Sequence, residues 1–327
     1  MEAWSATSSA AVGGQKKWSK HVVERISTDT DEAIRFPPGA AFIDGEFCDV
    51  ANAKISVLDW GFLRSDATYD VVHVWKGRFF RLEDHLERFQ QSVNKLRLQL
   101  PFGRTRLIEI LRQCVRRSGL RDAYVEMICT RGISPTFSRD PRDAQNRFIA
   151  FTIPFGWIAN EEQRRRGLHV VISKIPRIPP QSVDPTVKNY HWLDLVGGLF
   201  EAYDRGAENV VLLDMNGNVA EGPGFNIFAV IDNRVVTPAV GVLEGITRRA
   251  ALDICREIDV ATEVGALTPT ALMNAEEIFI TSTAGGVMPV TMIEGKPVGS
   301  GRPGSLTRRI VEEYWRKHED PAWTTEV

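Results

Sequence analysis

With 327 residues the chain is long enough for two domains at roughly 150 residues each, which excludes a disulfide-stapled miniprotein. Apolar residues make up 43% and charged residues 25%, a balance that excludes disordered and fibrous proteins. Lys and Arg number 40 against 42 Asp and Glu, so the net charge is −2 with a pI near 6.3, and no global attraction to nucleic acid or an anionic membrane is expected. Cys48, Cys114, Cys129 and Cys255 are too scattered for a CxxC pair or a secreted disulfide framework, which points to reduced thiols in a cytoplasmic protein. The first residues lack a signal-peptide core, and no run approaches the ~18 apolar residues of a membrane span.

Residues 1–39 are rich in Ala, Ser, Gly and charge and read as an N-terminal arm ending at Pro37-Pro38-Gly39. Ala41–Ile43 and Glu46–Cys48 flank Asp44-Gly45, a hairpin signal, and Tyr69–Trp75 and Arg78–Phe80 flank Lys76-Gly77 in the same way. Leu82, Leu86, Phe89, Val93 and Leu96 then recur at helical spacing, as do Leu107, Ile110, Leu111 and Val115 before Gly119. Ala123 to Thr130 reads as a strand with Tyr124, Glu126 and Ile128 on one face, and Arg147 to Pro154 as another. The polar stretch between them, Ile133 to Asn146, is long enough for a functional loop. These elements make a first domain over 40–154, and residues 155–166 read as a linker.

The remainder, 167–327, opens with a strand at His169–Ile175 and a Pro-rich loop to Lys188, followed by a helix from about Asn189 to Tyr203. Strands are expected at Val210–Leu213, Phe225–Ile231, Val235–Thr237, Ile278–Thr281 and Val287–Ile293, with helices at Thr247–Ile258 and Leu306–Lys317. The pattern predicts two α+β domains, the second rich in strands.

Several chemistries lack their residues. The six histidines form no HExxH or other ligand pair, so no metal is expected; GxSxG and GxxxxGK[ST] are missing; and Gly222-Pro223-Gly224 has Ile227 where a dinucleotide fingerprint needs its third glycine. What remains is Lys188 before a helix, Glu221 beside a strand, and two small-residue segments, Glu244-Gly245-Ile246-Thr247 and Thr281-Ser282-Thr283-Ala284-Gly285-Gly286. Taken singly, Lys188 reads as a surface lysine and Glu221 as an exposed turn carboxylate, and either small-residue segment is an anion cradle or an ordinary capped turn.

Taken together and in this order, DPTVKN, EGPGFN, GIT, STAGG and Asp84-His85-Leu86-Glu87-Arg88 resemble the fold type IV pyridoxal-phosphate enzymes, over about residues 40–318. The resemblance implies a small α/β N-terminal domain and a larger β-rich pseudo-barrel domain. It implies that Lys188 forms a Schiff base with pyridoxal 5'-phosphate and acts as general base, and that Glu221 pairs with the pyridine nitrogen. Phosphate contacts are implied for Arg88, Ile246, Thr247 and Thr283, with Ser282 alongside. A homodimer is implied as well. Pro223 departs from the usual serine and puts one contact near the cofactor in doubt.

Within the family, Ser65-Asp66-Ala67-Thr68-Tyr69-Asp70-Val71 and the VWKGRFFRL segment after it are similar to the (R)-selective amine transaminases, and Asp70 points away from the branched-chain and D-amino-acid enzymes. The implied substrate pocket comprises Arg64, Tyr69, Tyr124, Glu126, Trp192 and Ala284, with Arg139 as the loop arginine for the carboxylate of pyruvate or alanine. The expected activity is transfer from an (R)-primary amine or a D-amino acid to a 2-oxo acid. The alternatives are a branched-chain or D-amino-acid aminotransferase, an aminodeoxychorismate-type lyase and a non-catalytic binding protein.

Overall fold

The structure, a computed structural model of the chain, describes residues 38–327, so the arm expected over 1–39 lies outside the described residues except for Pro38 and Gly39. The first hairpin joins β1 (Ala40–Ile43) to β2 (Glu46–Asp49) through Asp44 and Gly45 at φ 53° and 86°. A short α1 (Trp60–Arg64) leads to the second hairpin, β3 (Ala67–Trp75) and β4 (Arg78–Phe80), through Lys76 and Gly77 at 51° and 82°. Both turns need two consecutive left-handed residues, the geometry that matches strand twist. Helices α2 (Leu82–Lys95) and α3 (Arg104–Ser118) follow, α3 ending on left-handed Gly119, and then β5 (Ala123–Ile133) and β6 (Gln145–Pro154).

Alternation along β3 and β5 gives this sheet two different faces. Val72, Val74, Val125, Met127 and Cys129 pack with Leu82, Leu86 and Phe89 of α2 and with Ile110, Leu111 and Cys114 of α3 in one apolar core. Tyr69, Val71 and Tyr124 point the other way and line a cavity. The period-two pattern of the sequence thus separates a face packed against the helices from a face that lines a cavity.

The second half contains α4 (Glu161–Arg166), β7 (Leu168–Ile172), α5 (Leu193–Asp204), β8 (Asn209–Val211), β9 (Glu221–Gly222), β10 (Phe225–Ile231) and β11 (Arg234–Pro238). It continues with α6 (Ile246–Glu257), β12 (Thr262–Gly265), α7 (Pro269–Met273), β13 (Glu277–Ser282), β14 (Gly286–Ile293), β15 (Lys296–Pro297), α8 (Ser305–Arg316) and β16 (Thr324–Glu326). Its sheet runs β12-β11-β10-β13-β14-β7-β8, with β9 paired to β10 and β15 to β14; the β11/β12, β14/β7 and β7/β8 pairs are parallel. β16 leaves this half and pairs antiparallel with β4, so the first sheet is β16-β4-β3-β5-β6-β1-β2.

The differences from the sequence expectation are local. The helix expected from Asn189 begins at Leu193, because Asn189 forms a β-bridge with Thr68 and Trp192 keeps a non-helical φ of −113°. The strand expected to reach Ile175 ends at Ile172. The segment read as a linker over 155–166 contains α4, capped reciprocally by Asn160 and Gln163, with Glu161 and Glu162 in its first turn and three arginines in its last. That charge order complements the helix dipole and was legible in the sequence. The returning strand β16 had no sequence signal.

The C-terminal segment is held by a buried aromatic cluster around two histidines. His318 stacks on Phe80 and Trp315, and its Nε2 lies 2.7 Å from Nε2 of His73. The Tyr314 carbonyl, 3.0 Å from His318 Nδ1, accepts only, so neutral His318 carries its proton there and its Nε2 accepts from His73. Burial pushes His318 down to about 4, and burial with the charge of His318 pushes His73 well below its ordinary value. The unfolded chain takes up protons near pH 6.5 that the folded pair refuses, so stability falls as pH drops from there toward 4. His318 alone should remove about 2 kcal/mol between pH 7 and pH 5. Urea unfolding at both pH values should show this loss in the wild type and a smaller one in His318→Gln; equal losses would locate the effect elsewhere.

Candidate active site

The cavity lies where the Tyr69 face of the first sheet meets the ends of β9, β10 and β13, and its volume is about 380 Å³. Lys188 enters it on a loop fixed from across the sheets: the Lys188 carbonyl accepts from the Tyr69 amide at 3.1 Å and the Thr68 hydroxyl at 2.7 Å. Its Nζ stands 4.2 Å from the centroid of the Tyr69 ring, which stacks on Tyr190 at 4.4 Å. The amine therefore sits against an aromatic wall, with its backbone held independently of its side chain.

One part of the cavity wall brings a buried arginine beside the start of a helix. Arg88, on α2, donates from Nε and Nη2 to the two oxygens of Asp70 at 2.7 and 2.8 Å and from Nη1 to the Glu244 carbonyl at 3.1 Å. His85 adds a bond to Asp70 at 2.8 Å. Burial pulls the Asp70 carboxyl upward, but the Arg88 charge and the bonds from His85 and Arg88 outweigh it and hold Asp70 well below the usual carboxylate range. Beside Arg88, α6 begins at Ile246 after Gly245 with no side-chain cap, and its first residues, Ile246 and Thr247, whose amides have no partner within the helix, line the cavity. A Cβ at Gly245 would stand 2.2 Å from Oδ1 of Asn226, so only glycine lets the chain approach here. Ser282, Thr283 and Ala284 complete the cradle, and the hydroxyl of Thr281 is buried without a partner.

Glu221 also lines the cavity. Its Oε1 accepts from Nε and Nη2 of Arg177 at 3.2 and 3.1 Å, and its Oε2 from the Leu243 amide at 2.9 Å. Burial pushes its carboxyl upward, against the pull of Arg177 and the Leu243 amide. Glu126 on β5 does not line the cavity; it accepts from Tyr124 at 3.1 Å, which does, and from Tyr190 at 2.9 Å. Burial raises the Glu126 carboxyl, opposed chiefly by the Tyr190 bond.

Of the residues selected from sequence, the cavity wall brings together Tyr69, Arg88, Tyr124, Lys188, Trp192, Glu221, Ile246, Thr247, Ser282, Thr283 and Ala284. Arg64 and Arg139 stand apart. The Arg64 guanidinium stacks 3.6 Å from the Trp60 ring centroid at a separate cleft shared with Ser182, Asp184 and His191, and Arg139 is exposed on the loop between β5 and β6. Asp70, selected only as a subgroup marker, is the buried anchor of Arg88. Arg177 was missed, since an arginine in the Pro-rich stretch 173–188 carries no motif that marks it.

The Amino-transferase class IV family matches residues 67–293. A putative branched-chain-amino-acid aminotransferase of Methanocaldococcus jannaschii is 30% identical over 84% of this chain and 94% of its own length, and a D-alanine aminotransferase of Bacillus licheniformis is 29% identical over 82% and 93%. A branched-chain amino acid aminotransferase from T.th., crystallised with pyridoxamine 5'-phosphate, superposes with a TM-score of 0.83 at 28% identity, covering 89% of this chain and 99% of that one. The chain belongs to the class IV aminotransferases and has their two-domain fold type IV architecture; its cofactor is pyridoxal 5'-phosphate.

The residues present fit that cofactor. A lysine amine, an arginine beside free helix amides and a buried carboxylate share one cavity, and the orphaned Thr281 hydroxyl marks a wall with hydrogen-bonding capacity unused within the protein. Arg88→Ala should weaken pyridoxal phosphate retention at least tenfold in equilibrium dialysis. Asp70→Asn, which leaves Arg88 in place but unclamped, should give a smaller loss; wild-type retention in both variants would remove Arg88 from phosphate binding.

Proposed function

We propose that this aminotransferase takes the amino group of an (R)-primary amine, or of a D-amino acid such as D-alanine, and passes it to a 2-oxo acid such as pyruvate. The observation that carries this reading is the commitment of the cavity's cations. Among the described residues that line it, Arg88 is bonded to Asp70 and Glu244, Arg177 to Glu221 and Asp194, and Lys188 is the amine itself. The wall of this chain thus offers a donor's carboxylate no uncommitted arginine, which favours the amine over the D-amino acid as donor, and Tyr69, Tyr124 and Trp192 suit an apolar substituent.

The bound cofactor supplies an aldehyde and an electron-withdrawing ring. Lys188 would hold the cofactor through its aldehyde, and its amine, standing on one side of the cavity, would move the proton at the substrate α-carbon on one face only, the origin of the selectivity for one hand. Glu221 holds the proton at the ring nitrogen. Arg88, the amides of Ile246 and Thr247 and the Thr283 hydroxyl bind the phosphate. The sum is amine plus 2-oxo acid giving carbonyl compound plus amino acid. Arg139 on its exposed loop is the cation that meets the 2-oxo acid carboxylate, reaching the cavity of a neighbouring copy in a homodimer. A second copy would also cover the exposed side chains of Phe62, Leu63, Leu193 and Phe200. The unpaired thiols Cys48, Cys114, Cys129 and Cys255 suit a cytoplasmic location.

The branched-chain and D-alanine aminotransferases among the relatives favour a second reading, in which an α-amino acid is the donor. A panel of (R)- and (S)-1-phenylethylamine, D-alanine and L-leucine, each with pyruvate and with 2-oxoglutarate, separates the two. The (R)-amine should be turned over at least tenfold faster than the (S)-amine and L-leucine, and faster L-leucine turnover would establish the second reading instead.

Borohydride treatment of the holoenzyme followed by peptide mapping should place the reduced cofactor on Lys188. Lys188→Ala should fold as the wild type by circular dichroism and lose multiple-turnover transfer by at least a thousandfold. A label on any other lysine would contradict the assignment.

A further inference from the structure

Arg177 does not stop at Glu221. Its Nη1 donates to Oδ2 of Asp194 at 2.5 Å, so one guanidinium bridges two carboxylates, and all three side chains are buried. Asp194 is held in turn by the Ile178 amide on Oδ2 and by its own neighbour, the Leu195 amide, on Oδ1, at 2.9 and 2.8 Å. It lies in the first turn of α5, where the helix dipole favours negative charge. Every partner of Glu221 and of Asp194 in this chain of contacts is a donor, as two carboxylates and one guanidinium require. Lys188 and Arg248 also act on Glu221 through their charges but do not bond it.

A carboxylate paired only with an arginine makes a neutral unit and pulls weakly on a cation placed against it. Two carboxylates sharing one arginine keep a net charge of −1. We propose that Asp194 is a positioning residue of the active site: through Arg177 it restores the negative charge that Arg177 alone would cancel, so that Glu221 holds a proton on the cofactor's ring nitrogen while Arg177 fixes its orientation. This rests on the reading that Glu221 faces that nitrogen.

The test is the ¹⁵N chemical shift of ring-labelled pyridoxal phosphate bound to the holoenzyme at pH 8, with cofactor content measured on each variant. Wild type should show a protonated ring nitrogen. Asp194→Asn, which makes the unit neutral, should move the signal toward the position of an unprotonated pyridine. The double variant Arg177→Gln with Asp194→Asn has the Glu221 charge alone, again −1, and should move the signal back. A structural role for the pair predicts that the double variant is at least as disturbed as the single one, and that result would overturn the proposal. So would an unmoved signal in Asp194→Asn. Glu221→Gln serves as the reference: if it leaves the signal unmoved, the placement of Glu221 fails and the inference with it, whereas a shift there without one in Asp194→Asn removes only the role of Asp194. Should Asp194→Asn fold poorly, Asp194→Glu, which keeps the charge, should leave the signal at the wild-type position.

Discussion

The carbonyl of Lys188 accepts from the Tyr69 amide and the Thr68 hydroxyl, and through these two bonds a loop of the second half is pinned to a strand of the first. The pinning sets where the amine stands, because the next atoms outward from that carbonyl carry the side chain. It also sets the aromatic wall: the same strand residue that donates its amide, Tyr69, presents its ring to the Lys188 amine and stacks on Tyr190. The two sheets and the cavity between them are thus registered by contacts to the Lys188 backbone, one from an amide and one from a threonine hydroxyl outside the cavity wall, so variation of the pocket side chains need not displace Lys188.

Around this anchor, three buried carboxylates are held in three different ways. Asp70 has a bidentate arginine and a histidine, and its attractions exceed its desolvation. Glu221 has an arginine and a backbone amide, and burial prevails. Glu126 has two phenols and no arginine bonded to it, and burial prevails there too. The same side-chain chemistry thus serves as a fixed anion that clamps Arg88, as a carboxylate raised by burial in the cavity wall, and as an acceptor that orients two tyrosines. The partner, not the residue type, makes the difference.

How much of this was legible in the sequence follows the range of the interactions involved. Local signals were reliable: the Asp44-Gly45 and Lys76-Gly77 turns, the stop at Gly119 and the alternation of Tyr124, Glu126 and Ile128 all depend on near neighbours. The cavity residues on the small-residue segments were found through motif order. What escaped depends on contacts made across the fold. Arg177 gains its meaning from Glu221 and Asp194, 44 and 17 positions away. Asp70 gains its own from Arg88, which shares no local pattern with it. The delayed start of α5 is set by a bridge to Thr68 that propensity does not see. Arg64 and Arg139 lie outside the cavity of this chain.

The return of β16 to the first sheet has a consequence for the order of assembly. Arg78 of β4 bonds Thr324 and Glu326 across 246 and 248 positions. During synthesis, β4 is therefore an open sheet edge for as long as the intervening chain takes to emerge. An open edge is a template for any passing strand, and the cost of closing so long a loop delays its proper partner. Everything from β1 to β6 can pair beforehand, but β4 gains its second neighbour only after the second half has been made, when β16 replaces it as the edge strand. The three residues of β4 keep that edge short, which limits what a passing strand can pair with until β16 arrives.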